Sequence, residues 1–142
     1  MRKKLKGSAL LWAVCSLLIV VFVITGILAL NKTYATEEIN IIAEKRAGYY
    51  ARSVVELTAD RIEKKNLVEN DRMDEVIKRF NVVTVTYGIE GCDSDPYAVV
   101  EKTNGDEVRI VAHATAGGQE SIATGIMKLE GSRWVFKGYA TE

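Results

Sequence analysis

Residues Ala9 to Leu30 read ALLWAVCSLLIVVFVITGILAL, and no charged side chain lies between Lys6 and Lys32. At the rise of an α-helix this run is about 33 Å long, enough to cross a hydrocarbon core of about 30 Å. Arg2, Lys3, Lys4 and Lys6 precede it, while the first acidic residues are Glu37 and Glu38. Under the positive-inside rule that asymmetry holds the N-terminus in the cytoplasm and places Asn31 onward outside. A cleaved secretory signal fits poorly, because its apolar region normally spans about 7–15 residues. The nearest small-residue triplet, Thr33-Tyr34-Ala35, is also a weak cleavage site. A plain signal-anchor fits the run alone, so the flanking residues have to discriminate.

The flank is Lys6-Gly7-Ser8-Ala9-Leu10-Leu11: a basic leader, a glycine and a small residue, then the apolar segment with no spacer. On these residues the chain resembles the type IV pilin family. The resemblance implies that a prepilin peptidase cuts between Gly7 and Ser8 on the cytoplasmic side. It also implies methylation of the new N-terminus and retention of the helix. One departure is informative, because Trp12 stands at the fifth mature position, where major pilins usually carry a glutamate. In that family the glutamate is thought to neutralise a neighbouring subunit's terminal amine. Its absence makes the start more similar to PilX-type minor pilins and GspK-type pseudopilins.

A pilin-like subunit needs its helix to continue beyond the membrane, whereas a simple anchor is normally followed by a linker. From Asn31 to Lys65 there is no proline and one glycine, Gly48, among many good helix formers. Ile39, Ala43, Ala47, Tyr50, Val54 and Leu57 recur at steps of three and four, with Ile42 and Ile62 beside them, drawing one apolar stripe. The spacing predicts one helix from about Ala9 to Lys65, its outer half amphipathic. Asp60 and Lys64 are spaced for an i,i+4 pair. The small side chains Ala43, Ala47, Gly48 and Ala51 permit close backbone approach, with Tyr49 and Tyr50 supplying bulk. They either seat the helix on its own sheet or contact a neighbouring subunit. In the second case Trp12, Ala43, Ala47, Tyr50 and Val54 are the candidate assembly positions.

Beyond Asn66 the pattern changes. Residues 73–80 (MDEVIKRF) predict a short helix, and Val82 to Tyr87 then alternate at strand period. Gly91 to Pro96 collect turn formers around the only proline. Asn104-Gly105 predicts a type I′ hairpin with both residues at positive φ, joining Tyr97–Thr103 to Asp106–Thr115. Further turns are expected at Gly117-Gly118 and Glu130-Gly131-Ser132, before strands over Glu120–Leu129 and Arg133–Tyr139. The expected organisation is thus a leader (1–7), a transmembrane half-helix (8–30), an amphipathic half-helix (31–66) and a sheet domain (67–142). The fold class is α+β: a long N-terminal helix packed on a small antiparallel β-meander.

The sequence offers little chemistry. Nineteen basic and nineteen acidic side chains cancel, which argues against the basic footprint of a nucleic-acid binder. His113 is the only histidine, and it alternates away from Ile110, Ala112 and Ala114 as an exposed or edge residue would; no spacing supports a nucleophile triad around it, and a zinc site needs more ligands than one His and two remote Cys. Asp93 and Asp95 are either turn formers or weak calcium ligands. Gly117-Gly118 precedes no helix and so does not match a phosphate loop. Trp134 and Phe136 share a face suited to core packing. Cys15 lies in the apolar run and Cys92 in a polar stretch; Cys92 is either a free thiol or an interchain partner.

The expectation is therefore a non-enzymatic subunit without a cofactor, held in membrane lipid and meeting other pilin-like subunits, a prepilin peptidase and assembly platform proteins. It would serve a type IV pilus-like filament or a related secretion or uptake system. The alternative is a single-pass membrane protein whose ectodomain binds a ligand or a partner.

Overall fold

The computed structural model of the chain describes residues 2–64, 67–68, 71–72 and 79–140. Helix α1 runs Arg2–Glu63, and among the described residues these strands follow: β1 (Leu67–Val68), β2 (Asp71–Arg72), β3 (Val82–Thr86), β4 (Tyr97–Asn104), β5 (Glu107–Ala116), β6 (Gln119–Glu130) and β7 (Arg133–Tyr139). The α+β class expected from the sequence is what is observed. β1 and β2 pair with each other alone, while β3 to β7 form one antiparallel sheet in sequence order. The short helix expected over 73–80 falls mostly outside the described residues.

The chain forms two compact units, residues 1–39 and 40–142. In the first, the side chains from Leu10 to Leu30 stand exposed along the helix. In the second, the last turns of α1 lie on one face of the sheet. Val54, Val55, Ala59 and Ile62 pack with Val85, Tyr87, Ala98, Val100, Val108, Ile110, Ala112, Met127 and Trp134. Burying each large member of such a core contributes about 1.5–3 kcal/mol relative to exposure.

The buried stripe of the helix differs from the expected one. Ala43, Ala47, Ala51, Val55 and Ala59 form one buried row at steps of four, and Val54, Thr58 and Ile62 form a second. Ile39, Ile42 and Leu57, assigned to the stripe by periodicity, are instead exposed. For Leu57 the physical reason is Thr58, which is fully buried and polar. Its hydroxyl donates to the Val54 carbonyl at 2.7 Å, so at 2.6 Å it accepts the proton of the Tyr87 hydroxyl. With both partners made, a threonine can occupy the core position that Leu57 was expected to fill; left unpaired, it would cost about 1–3 kcal/mol.

The strands fall close to their expected ranges, since each carries a period-two pattern; β5 alternates buried Val108, Ile110, Ala112, Ala114 and Ala116 with more exposed neighbours. The turn at Gly117-Gly118 has φ of +58° and +76°, which suits a type I′ hairpin. Asn104-Gly105 departs from expectation. Asn104 pairs with Glu107, so the loop is Gly105-Asp106, and Gly105 does not enter the left-handed region. An irregularity between Lys102 and Asn104 absorbs one residue and moves the turn along.

Candidate functional site

Along residues 7–30 the helix presents an apolar surface on every side. Leu10, Leu11, Trp12, Leu17, Ile19, Phe22 and Leu28 are all more than half exposed. Mean hydropathy is high enough for a membrane span, and this is the only such helix among the described residues. Polar atoms within the run are neutralised locally: Ser16 donates to the Ala13 carbonyl at 2.9 Å, and Thr25 to the Val21 carbonyl at 2.7 Å. Such back-bonding pairs both hydroxyls of the Ala9–Leu30 run in a medium without water. A side chain at Gly7 would meet open space. Trp12 is 74% exposed, so it takes no part in folding its own chain.

The other candidate assembly positions lie where the helix meets the sheet. Ala43, Ala47 and Val54 are buried within the second unit, against the chain's own strands. Tyr50 is half-buried and its hydroxyl lies over Gly91, while Tyr49 is exposed and meets the Tyr50 ring edge-on at 6.5 Å. A side chain on Gly117 would come within 2.9 Å of Ala43 Cβ, which shows how closely the β5–β6 turn sits on the small-residue row.

Asp93 has a structural use that spacing could not reveal. Its carboxylate accepts the Gly117 amide at 3.1 Å and the Gly118 amide at 2.7 Å, while its own amide donates to the Thr115 carbonyl at 2.8 Å. Both oxygens are thereby engaged in tying the Gly91–Pro96 loop to the β5–β6 turn. Cys92 is half-buried as a free thiol. Burial raises its pKa, with Asp93 and Asp95 pushing the same way, so the reactive thiolate is disfavoured.

His113 lies on the open face of the sheet, stacked on Tyr97 at 4.8 Å, with Nδ1 3.1 Å from Glu120. It makes no contact with Asp93, and among the described residues no cluster of His, Cys, Asp and Glu could hold a metal ion. Trp134 is buried in the core and Phe136 packs against it.

A third arrangement was missed in the sequence. Arg52 lies over the Tyr139 ring at 5.7 Å, and the Tyr139 hydroxyl donates to Glu56 at 2.9 Å. Burial raises the Tyr139 pKa, and the hydrogen bond to Glu56 adds to it. Two open hollows flank this group, of about 340 and 560 Å³. Lys45, Gly48, Tyr49 and Arg52 of the helix line the first together with Ser121, Ile122 and Ala123 of β6. Arg52, Arg109, Tyr139 and Ala140 help to line the second, around the same stretch of β6. Nothing in the sequence marks residues so far apart as neighbours. Compared with protein-family models, curated proteins and solved structures, the chain matches none.

Proposed function

We propose that this chain is a structural, non-catalytic subunit, a minor pilin or pseudopilin of a type IV pilus-like or related secretion or uptake filament. The observation that supports this reading best is the helix Arg2–Glu63 itself. It is one uninterrupted element that exposes large apolar side chains from Leu10 to Leu30 and buries small ones from Ala43 onward. An anchor alone requires only the first property.

The mechanism is physical. In the bilayer the Ala9–Leu30 surface contacts lipid; on extraction the same surface packs against neighbouring helices, exchanging lipid contacts for protein contacts. Trp12, in place of a charge-neutralising glutamate, suits a subunit used at low copy number. The leader is a retention signal that the prepilin peptidase removes.

Intact-mass measurement in the native host tests this. The expected product begins at Ser8, while replacing Gly7 or inactivating the peptidase leaves the longer precursor. An unchanged mass in both backgrounds would refute the proposal and favour a single-pass anchored ectodomain.

A further inference from the structure

β6 is longer than the strand that covers its outer edge. β7 pairs with it from Glu130 back to Gly125, and the Ala140 amide closes the ladder on the Thr124 carbonyl at 2.9 Å. Among the described residues nothing pairs with Gln119–Ala123 on that side. In an antiparallel strand the amide and carbonyl of one residue point to the same edge and alternate along the chain. Since the Thr124 carbonyl faces β7, the backbone groups of Ile122 and Glu120 face the uncovered edge. The other half of this side is managed differently: β7 continues the sheet, and Glu63 in turn accepts the Phe136 amide of β7 at 2.9 Å. An uncovered strand edge is a template for another chain.

The surroundings select what that chain carries. The two hollows beside the edge are lined by the bases Lys45, Arg52 and Arg109; the neighbouring carboxylates are already engaged, Glu56 by the Tyr139 hydroxyl and Glu120 by His113. Lys45 and Arg52 sit seven residues apart on the helix, on the inner face of the sheet. Arg109 lies on the outer face, paired across from Ile126. None of the three forms a salt bridge among the described residues. A strand added here would run between Arg52 on one face and Arg109 on the other. A second copy presenting the same edge would bring like charges together, which disfavours self-pairing.

We propose that the β6 edge at Gln119–Ala123 is a docking site for an extended acidic segment of another polypeptide, bound by strand addition. Backbone hydrogen bonds to Glu120 and Ile122 supply affinity, and the flanking bases supply selectivity. This goes beyond the filament reading and does not depend on it.

The test uses the full chain in detergent micelles and a capped peptide, Thr-Val-Glu-Glu-Val-Thr-Val, whose adjacent glutamates put one carboxylate on each face of an added strand. Amide hydrogen exchange should slow at Glu120 and Ile122 when it binds, and affinity should fall with added salt. The same peptide with lysines for glutamates should bind at least about tenfold more weakly. Ile122→Pro, which removes an edge donor, should weaken binding by about tenfold. Arg52→Glu combined with Arg109→Glu leaves the backbone edge intact and should reverse the preference between the two peptides. Equal binding of both peptides, or no change in the charge-reversed variant, would overturn the proposal. So would protection of the Glu120 and Ile122 amides in the free chain, or peptide-independent dimerisation that Ile122→Pro abolishes.

Discussion

At Gly125 the helix comes close to the sheet, and a single methyl group there measures how tightly the two are joined. A Cβ built on Gly125 would lie 2.5 Å from Val55 Cγ1 and 2.9 Å from Phe136 Cε2. Ordinary carbon–carbon contacts are about 3.5–4 Å, so the helix and β6 have to separate by roughly 1 Å or the side chains must leave their rotamers. Val55 is fully buried and cannot swing into solvent, whereas the partly exposed Phe136 ring can give. Overpacking of this kind costs about 1–3 kcal/mol. With one of the two neighbours fixed, Gly125→Ala is expected in the upper half of that range. For a cooperative unit of about 100 residues this lowers Tm by roughly 10 °C. Trp134 is buried in the core and reports unfolding by fluorescence once Trp12, the only other tryptophan, is replaced by Phe. Val55→Ala alone loses buried methyls and costs about 2 kcal/mol. Combined with Gly125→Ala it provides the missing space, so the double variant should be more stable than the sum of the two losses by about 1–2 kcal/mol. Strict additivity, or a Gly125→Ala protein as stable as its parent, would refute the close packing argued here.

Asp93→Ala removes the acceptor for two amides at the β5–β6 turn. It should cost about 1–2 kcal/mol by denaturant titration and speed hydrogen exchange at Gly117 and Gly118; unchanged exchange would contradict the assignment. Because both Asp93 oxygens are occupied, chelator and added calcium should leave Tm where it is. Burial raises the Tyr87 phenol above its ordinary value near 10, against the opposing effects of the Thr58 hydrogen bond and of Arg61. The folded state therefore holds that proton more tightly than the unfolded one. Its contribution is complete below about pH 10 and is lost as the pH rises through the folded value. Tyr87→Phe should flatten this alkaline loss, with a remainder from Tyr139, whose pKa is raised in the same direction; identical pH profiles in parent and variant would refute it.

Much of the fold was legible along the chain because its determinants are local. Charge exclusion from Lys6 to Lys32 defines the apolar helix, and period-two alternation over Val82–Tyr87 and Asp106–Thr115 defines strands. Glycines at Gly117, Gly118 and Gly131 allow the left-handed φ that their hairpins need. The Asn104-Gly105 turn slipped by one residue because pairing between β4 and β5, with its irregularity near Lys102, overrode the local preference.

Tertiary structure alone decided the rest. Periodicity could not choose between Leu57 and Thr58, because the choice depends on a hydroxyl supplied by Tyr87, 29 residues away. Asp93 looked like a loop aspartate until the β5–β6 turn was brought beneath it. The basic hollows join Arg52, Arg109 and Tyr139 through sheet register, which the sequence does not encode locally. The N-terminal run is the opposite case. Its exposed apolar surface follows from composition alone, because a helix built only of such residues is apolar on every face.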